Sequence, residues 1–258
     1  MEATGDADFS EVRVKRYRSV LRQIDVRLVK LFPEVNRING AMGKLAGLSE
    51  DLRILSLNAE LAAGRAGPRG VAVRALTQYT RGLVGRLRDL NQDTLDFNGL
   101  YRHCTVTLRA VRHLRQVETA AASIGTALQA GGARQVAAAL DQARSDYLGE
   151  IAAHVGGITA TTARLIKMVK VVDDVVAQAE SIATNIAAEA VTAGIHREEF
   201  TSVAETMRRY VEELRRMSDR VDKALRQARR SSKGLVEALA TIVDSDGRGG
   251  VATAAEAA

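Results

Sequence analysis

Residues 21–45 read LRQIDVRLVKLFPEVNRINGAMGKL, and their apolar positions decide the fold. Leu21, Ile24, Leu28, Leu31, Val35, Ile38, Met42 and Leu45 follow one another at alternating steps of three and four residues. A repeat averaging about 3.5 residues keeps one apolar stripe on one side of a helix, which is the seam of a coiled coil. A shortened step leads to Leu48, after which Leu52 and Leu55 resume the rhythm. The pattern predicts a first helical arm from about residue 10 to residue 66, roughly 80 Å long at 1.5 Å per residue. Pro33 falls inside it. Its missing N–H and its ring predict a kink or a break near Phe32.

Working outward, Gly67-Pro68-Arg69-Gly70 stops the first arm, because Gly caps a helix in the left-handed conformation and Pro cannot continue it. The seam restarts at Val73, Leu76, Thr80, Leu83, Leu87 and Leu90, and passes through Thr94, Phe97, Tyr101, Cys104, Leu108 and Val111 toward Leu128. Gly131-Gly132 ends this second arm. A third arm carries Leu140, Ala143, Tyr147, Ile151, His154 and Ile158, then Leu165 through Ala190; Gly194 marks the next turn. The fourth arm runs from Phe200 through Val203, Met207, Tyr210 and Leu214 to about Leu239 or Ile242. Four arms joined by short turns predict antiparallel neighbours. The expected fold is therefore all-α, a long antiparallel coiled-coil four-helix bundle made of two tandem helical hairpins. The first hairpin covers residues 10–130 with its turn near 67–70, and the second covers 133–243 with its turn near 194–197. Residues 1–9 and the Gly/Ala-rich residues 244–258 lack a seam and are expected to be disordered.

Composition agrees with narrow helical packing. Aromatic residues make up 3% of the chain and Trp is absent, so the core must be built from small and medium aliphatic side chains rather than the residues that favour sheets. The net charge of +6 comes from cations interleaved with anions, the pattern of a solvated helical surface rather than a nucleic-acid face. The densest basic run, Arg226 to Arg230 with Lys233, is expected near the end of the last helix, where cations complement the helix dipole. A single cysteine, Cys104, excludes an internal disulfide and a cysteine-cluster metal site. No apolar run reaches the roughly 20 residues that span a bilayer, and the acidic N-terminus does not read as a secretory signal. The expected location is the cytoplasm, without membrane insertion.

The two turns belong to a repeat. LSLNAELAAGRAGPRGVAVRALTQYTRGL, from residue 55, aligns without gaps on IATNIAAEAVTAGIHREEFTSVAETMRRYV, from residue 182, at an offset of 127 residues. Asn58 falls on Asn185, Gly67 on Gly194 and Arg81 on Arg208. Half a chain of offset means a duplication. Both segments resemble the hairpin tip of the cytoplasmic signalling domain of methyl-accepting chemotaxis receptors. The first copy carries Leu55, Leu57, Asn58, Ala59, Ala63, Arg65, Ala66, Gly67 and Gly70 of that pattern; the second carries Asn185, Glu189, Ala190, Gly194, Phe200, Val203 and Arg208. The copies depart from it in complementary ways. Ala62 replaces a Glu that Glu189 retains, Val73 replaces the Phe that Phe200 retains, and Thr192 replaces the Arg that Arg65 retains. The Phe that gathers receptor dimers into trimers falls on Glu50 and Ala177, and no methylation segment is present.

The resemblance implies a chemoreceptor-like signalling or scaffold protein whose tips dock a chemotaxis-type histidine kinase and its coupling adaptor. The implied docking residues are Ile54, Leu55, Asn58, Arg65, Gly67 and Arg81 in the first tip, and Asn185, Glu189, Gly194, Phe200 and Arg208 in the second. It also implies a monomeric pseudo-dimer, since one chain supplies the two hairpins that receptors take from two; a homodimer is the other arrangement. Two further functions fit a helical bundle: a response-regulator phosphatase or phosphorelay protein, for which Asn91, Gln92, Asp93 and Asp96 supply amide and acidic groups, and a structural scaffold with degenerate tips. Catalytic residues, a metal site and a cofactor are not expected. The four histidines, His103, His113, His154 and His196, show no metal-ligand spacing. His154 reads as a hydrogen-bonded core residue of the third arm. GRAGPRG lacks the Lys-Ser/Thr ending and the preceding strand of a phosphate loop.

Overall fold

Ala, Leu and Arg, among the best helix formers, are abundant in the chain, and helices are what they build. The structure, a computed structural model, describes residues 3–92, 95–127 and 133–245, with side chains within 17–90, 99–121 and 135–242 except at 137. Among the described residues, five α-helices follow in order: α1 (Ala3–Arg65), α2 (Val71–Gln92), α3 (Leu95–Ala127), α4 (Ala133–Thr192) and α5 (Arg197–Ser245). Short 3-10 turns, Gly67–Gly70 and Gly194–His196, join α1 to α2 and α4 to α5. There is no strand among the described residues. The Gly131-Gly132 turn, the side chains of residues 91–96 and the tail from residue 246 lie outside them.

The seam of α1 is buried as expected, from Leu21 to Leu55. Pro33 does not break it: α1 is one helix from Ala3 to Arg65, beginning upstream of residue 10. The Pro33 ring points to solvent, and Leu31 and Val35 on either side of it are buried and hold the turn in register. In α3 the expected positions Cys104 and Val111 are buried, but those of Tyr101 and Leu108 shift back by one residue. Leu100 and Thr107 are buried, whereas Tyr101 is exposed and Leu108 only half-buried. Tyr101 instead meets Phe32 of α1 edge to face, with ring centroids 5.8 Å apart. In α4, Val155 takes the core position expected for His154, which is half-buried.

The chain divides into two compact units that cut across both hairpins. Unit 1 comprises residues 1–35, 98–163 and 226–258; unit 2 comprises 36–97 and 164–225. In unit 2, α1 and α2 run antiparallel: Ser56 Oγ donates to the Thr77 carbonyl at 3.1 Å, and Arg88 reaches back to Glu50 at 3.0 Å. α4 and α5 do the same, with Arg215 donating to Glu180 at 2.6 Å and Ser218 to Asp173 at 2.5 Å. Arg86 bonds Gln178 between α2 and α4, and Arg65 pairs with Glu199 between α1 and α5. In unit 1, Arg115 of α3 holds Asp25 of α1 at 3.0 Å, and His113 of α3 stacks on Tyr147 of α4. There too, Arg144 of α4 binds Glu118 of α3 at 2.7 Å and lies over the Tyr17 ring of α1.

Candidate functional site

Both repeat turns lie in unit 2, and the backbone explains why Gly occupies each. Gly67 and Gly194 have φ of 56° and 62°, the left-handed region where a Cβ is strained. The first turn has a second requirement. A Cβ at Gly70 would overlap the backbone of Ala63, so α2 leaves the turn in close contact with α1. Ala59, Ala62, Ala63 and Ala66 are buried beside it, and in the second copy Ala190 and Ala193, the counterparts of Ala63 and Ala66, are buried too. Small residues thus let the helices converge where the chain reverses.

The two tips meet. Arg65 of the first places Nη1 3.2 Å from Glu199 Oε1 of the second. The guanidinium of Arg69 lies against Gly194, where a Cβ would collide with it. The Arg and Glu that close this contact come from different copies of the repeat, so each tip completes the other.

The residues picked out from the sequence divide by exposure. Asn58, Arg65, Arg81, Asn185, Gly194 and Arg208 are exposed, Gly67 and Glu189 are half-buried, and Ile54 is exposed beside buried Leu55. Phe200 is fully buried, so it holds the tip together and a partner reaches it only by parting the helices. Arg81 pairs with Glu60 across α1 and α2; the position matching Glu60 in the second copy is Ala187, so Arg208 has no counterpart to that pair. Ile54, Leu55 and Asn58 line a groove with Val203, Thr206 and Tyr210 of α5. A matching groove between α2 and α4 is lined by Ser181, Ile182, Tyr79 and Leu83, which sit 127 residues from Ile54, Leu55, Thr206 and Tyr210. The two aligned segments thus line two grooves at matching positions with different side chains.

Two features were not legible as tip features. Leu61, Val71, Val191 and Ile195 are exposed apolar residues at or beside the turns, and Ile195 is 90% exposed. A continuous seam rhythm gives no reason to notice apolar residues off the seam. Glu50, where the receptor pattern has Phe, is instead held by Arg53 at 2.9 Å and by Arg88. The Arg53 hydrogen bond, opposed by partial desolvation and aided by Arg88, pulls the Glu50 carboxyl down to about 2. A charge so held replaces an apolar contact surface with an ion cluster.

Elsewhere, His154 Nδ1 lies 2.9 Å from His103 Nδ1. No group of three or more potential metal ligands occurs among the described residues, and none of the described helices is long and apolar enough to cross a membrane. Compared with protein-family models, with curated proteins and with solved structures, the chain matches none.

Proposed function

We propose that this chain is a chemoreceptor-like signalling or scaffold protein, and that the joined tips of unit 2 dock a chemotaxis-type histidine kinase and its coupling adaptor. In the same reading each unit is an antiparallel coiled-coil four-helix bundle built from both tandem hairpins. The observation that carries the proposal is the Arg65–Glu199 ion pair, which brings two separately encoded tips into one composite end. Around it, Leu61, Val71, Val191 and Ile195 leave apolar surface in water that a folded chain gains nothing by exposing. Asn58 and Asn185 add polar groups on the exposed face. Such a surface is suited to binding a partner protein.

The test is capture of a kinase and adaptor of this class by the full chain, followed by separate alteration of the tips. Leu61→Asp with Asn58→Ala should weaken capture at least tenfold, as should Ile195→Asp, with helicity by circular dichroism unchanged. Capture that survives both sets of changes, or a wild-type chain that captures neither protein, would overturn the proposal.

A further inference from the structure

The basic run of α5 has no role in the tips. Nor does it sit where a helix dipole would reward it. α5 continues to Ser245, fifteen residues beyond Arg230, and the dipole acts within the last turn. In unit 1 its Arg230 faces α1 instead. Arg22, Arg27 and Lys30 of α1 line a groove together with Arg230 and Ser231 of α5. Arg27 is half-buried and reaches over α5 at Gly234, where a Cβ would overlap its guanidinium. Among the described residues, none of these four cations has a hydrogen bond or an ion pair. A half-buried guanidinium without an acceptor loses hydration and gains nothing in return.

The duplication supplies the comparison that gives this groove meaning. Arg27 and Arg230 lie 127 residues from His154 and His103. Between α3 and α4, those two histidines touch directly, their Nδ1 atoms 2.9 Å apart, and Gly157 gives the His103 ring its room. One pair of rings closes that side. The corresponding positions between α1 and α5 carry two permanent positive charges, which repel and cannot close without an anion.

We propose that the α1–α5 groove of unit 1 binds a small polyanion bearing two or more phosphoryl groups. Planar guanidinium forks match phosphate oxygens bidentately, and Lys30 adds a point charge. The cations from Arg22 to Lys30 lie eight helical steps apart, roughly 12 Å of helix, the scale of a short phosphate chain rather than a nucleic-acid backbone. The only apolar side chain in the lining is Val26, and no aromatic ring is there to stack a base.

Titration of the full chain with tripolyphosphate by calorimetry at low salt tests this. The wild type should bind, and Arg27→Gln and Arg230→Gln should each weaken binding at least tenfold. Gly234→Ala, which displaces the Arg27 guanidinium without changing charge, should weaken it as well. Arg112→Gln removes one exposed cation from α3 and should leave binding unchanged. Circular dichroism confirms that each variant is folded. Vesicles doped with phosphatidylinositol bisphosphate form a second arm; binding to them without binding of free tripolyphosphate would assign the phosphates to a lipid headgroup. Absence of binding in both arms, or an equal loss in Arg112→Gln, would overturn the proposal and leave the cations a solvated face.

Discussion

Gly70 and Gly43 are both glycines, yet they have opposite consequences. Gly70 sits where a Cβ would enter the Ala63 backbone, so Gly70→Ala should destabilise unit 2 by about 1–3 kcal/mol in urea unfolding. Gly43 lies mid-helix in α1 with nothing near its missing Cβ, and Gly43→Ala should stabilise by about 0.5–1 kcal/mol. The left-handed turns at Gly67 and Gly194 were legible in the sequence, because a helix stop and Gly together specify that conformation. The close approach at Gly70 was not, since it depends on a second helix segment. Cys104 is a residue whose chemistry follows from its burial. Desolvation raises its thiol to about 12 from 9.0, a backbone hydrogen bond opposing weakly. The folded chain therefore keeps a proton that the unfolded chain sheds, and stability falls as pH rises from about 9 to about 12. Between those limits the wild type should lose stability more steeply than Cys104→Ala, as followed by denaturant midpoints across that range. Equal slopes would mean that the thiol titrates freely in the folded chain.

At the scale of helices, apolar rhythm located every described arm but fixed only part of its phase. In α1 the seam from Leu21 to Leu55 is buried at each expected position, because branched and long aliphatics recur there without a competing stripe. In α3 two stripes compete: Leu100, Cys104, Thr107 and Val111 against Tyr101, Cys104, Leu108 and Val111. Both obey three- and four-residue steps, and the first is buried. Thr107 is accepted inside because its hydroxyl donates to the His103 carbonyl at 2.7 Å. That preference comes from partners on other helices, which periodicity does not encode. Pro33 illustrates the reverse error, a local rule overruled by packing on both flanks. Its backbone still lacks one donor to the carbonyl of residue 29, so Pro33→Ala should stabilise the chain by up to about 3 kcal/mol in thermal or urea unfolding. A neutral result would mean that the helix has already relaxed around the ring. Between α3 and α4 the stakes are ionic. Glu118 has only 3% of its side chain exposed and depends on Arg144 at 2.7 Å. Arg144→Met leaves that carboxylate buried and alone, and should cost about 3–5 kcal/mol. Adding Glu118→Gln should recover part of the loss, which a double-mutant cycle measures.

The two halves of the chain do not fold as separate bodies: unit 1 and unit 2 each draw segments from both. The 127-residue offset was legible, and with it the pairing of turns; the crossing of Arg65 to Glu199 and of Arg27 to Gly234 was not, because an internal repeat does not state which copy faces which. The consequence concerns mass. The α1 seam and most of the α2 seam are buried within the single chain, and in unit 2 single contacts tie α2 to α4 and α1 to α5, so the full chain needs no second copy to bury them. We therefore expect a monomer of 27.7 kDa by light scattering, unchanged over a wide range of concentration. A fragment of residues 1–130 has the same seam but no α4 or α5 to cover it. It should associate with itself, because two copies of one hairpin can supply what the second hairpin supplies in the intact chain, the arrangement that receptors of the resembled family use between two chains. The pair of measurements separates the alternatives. A monomeric full chain with a self-associating fragment is a single-chain imitation of a dimer; a full chain that doubles its mass at every concentration would show instead that hairpins are exchanged between copies.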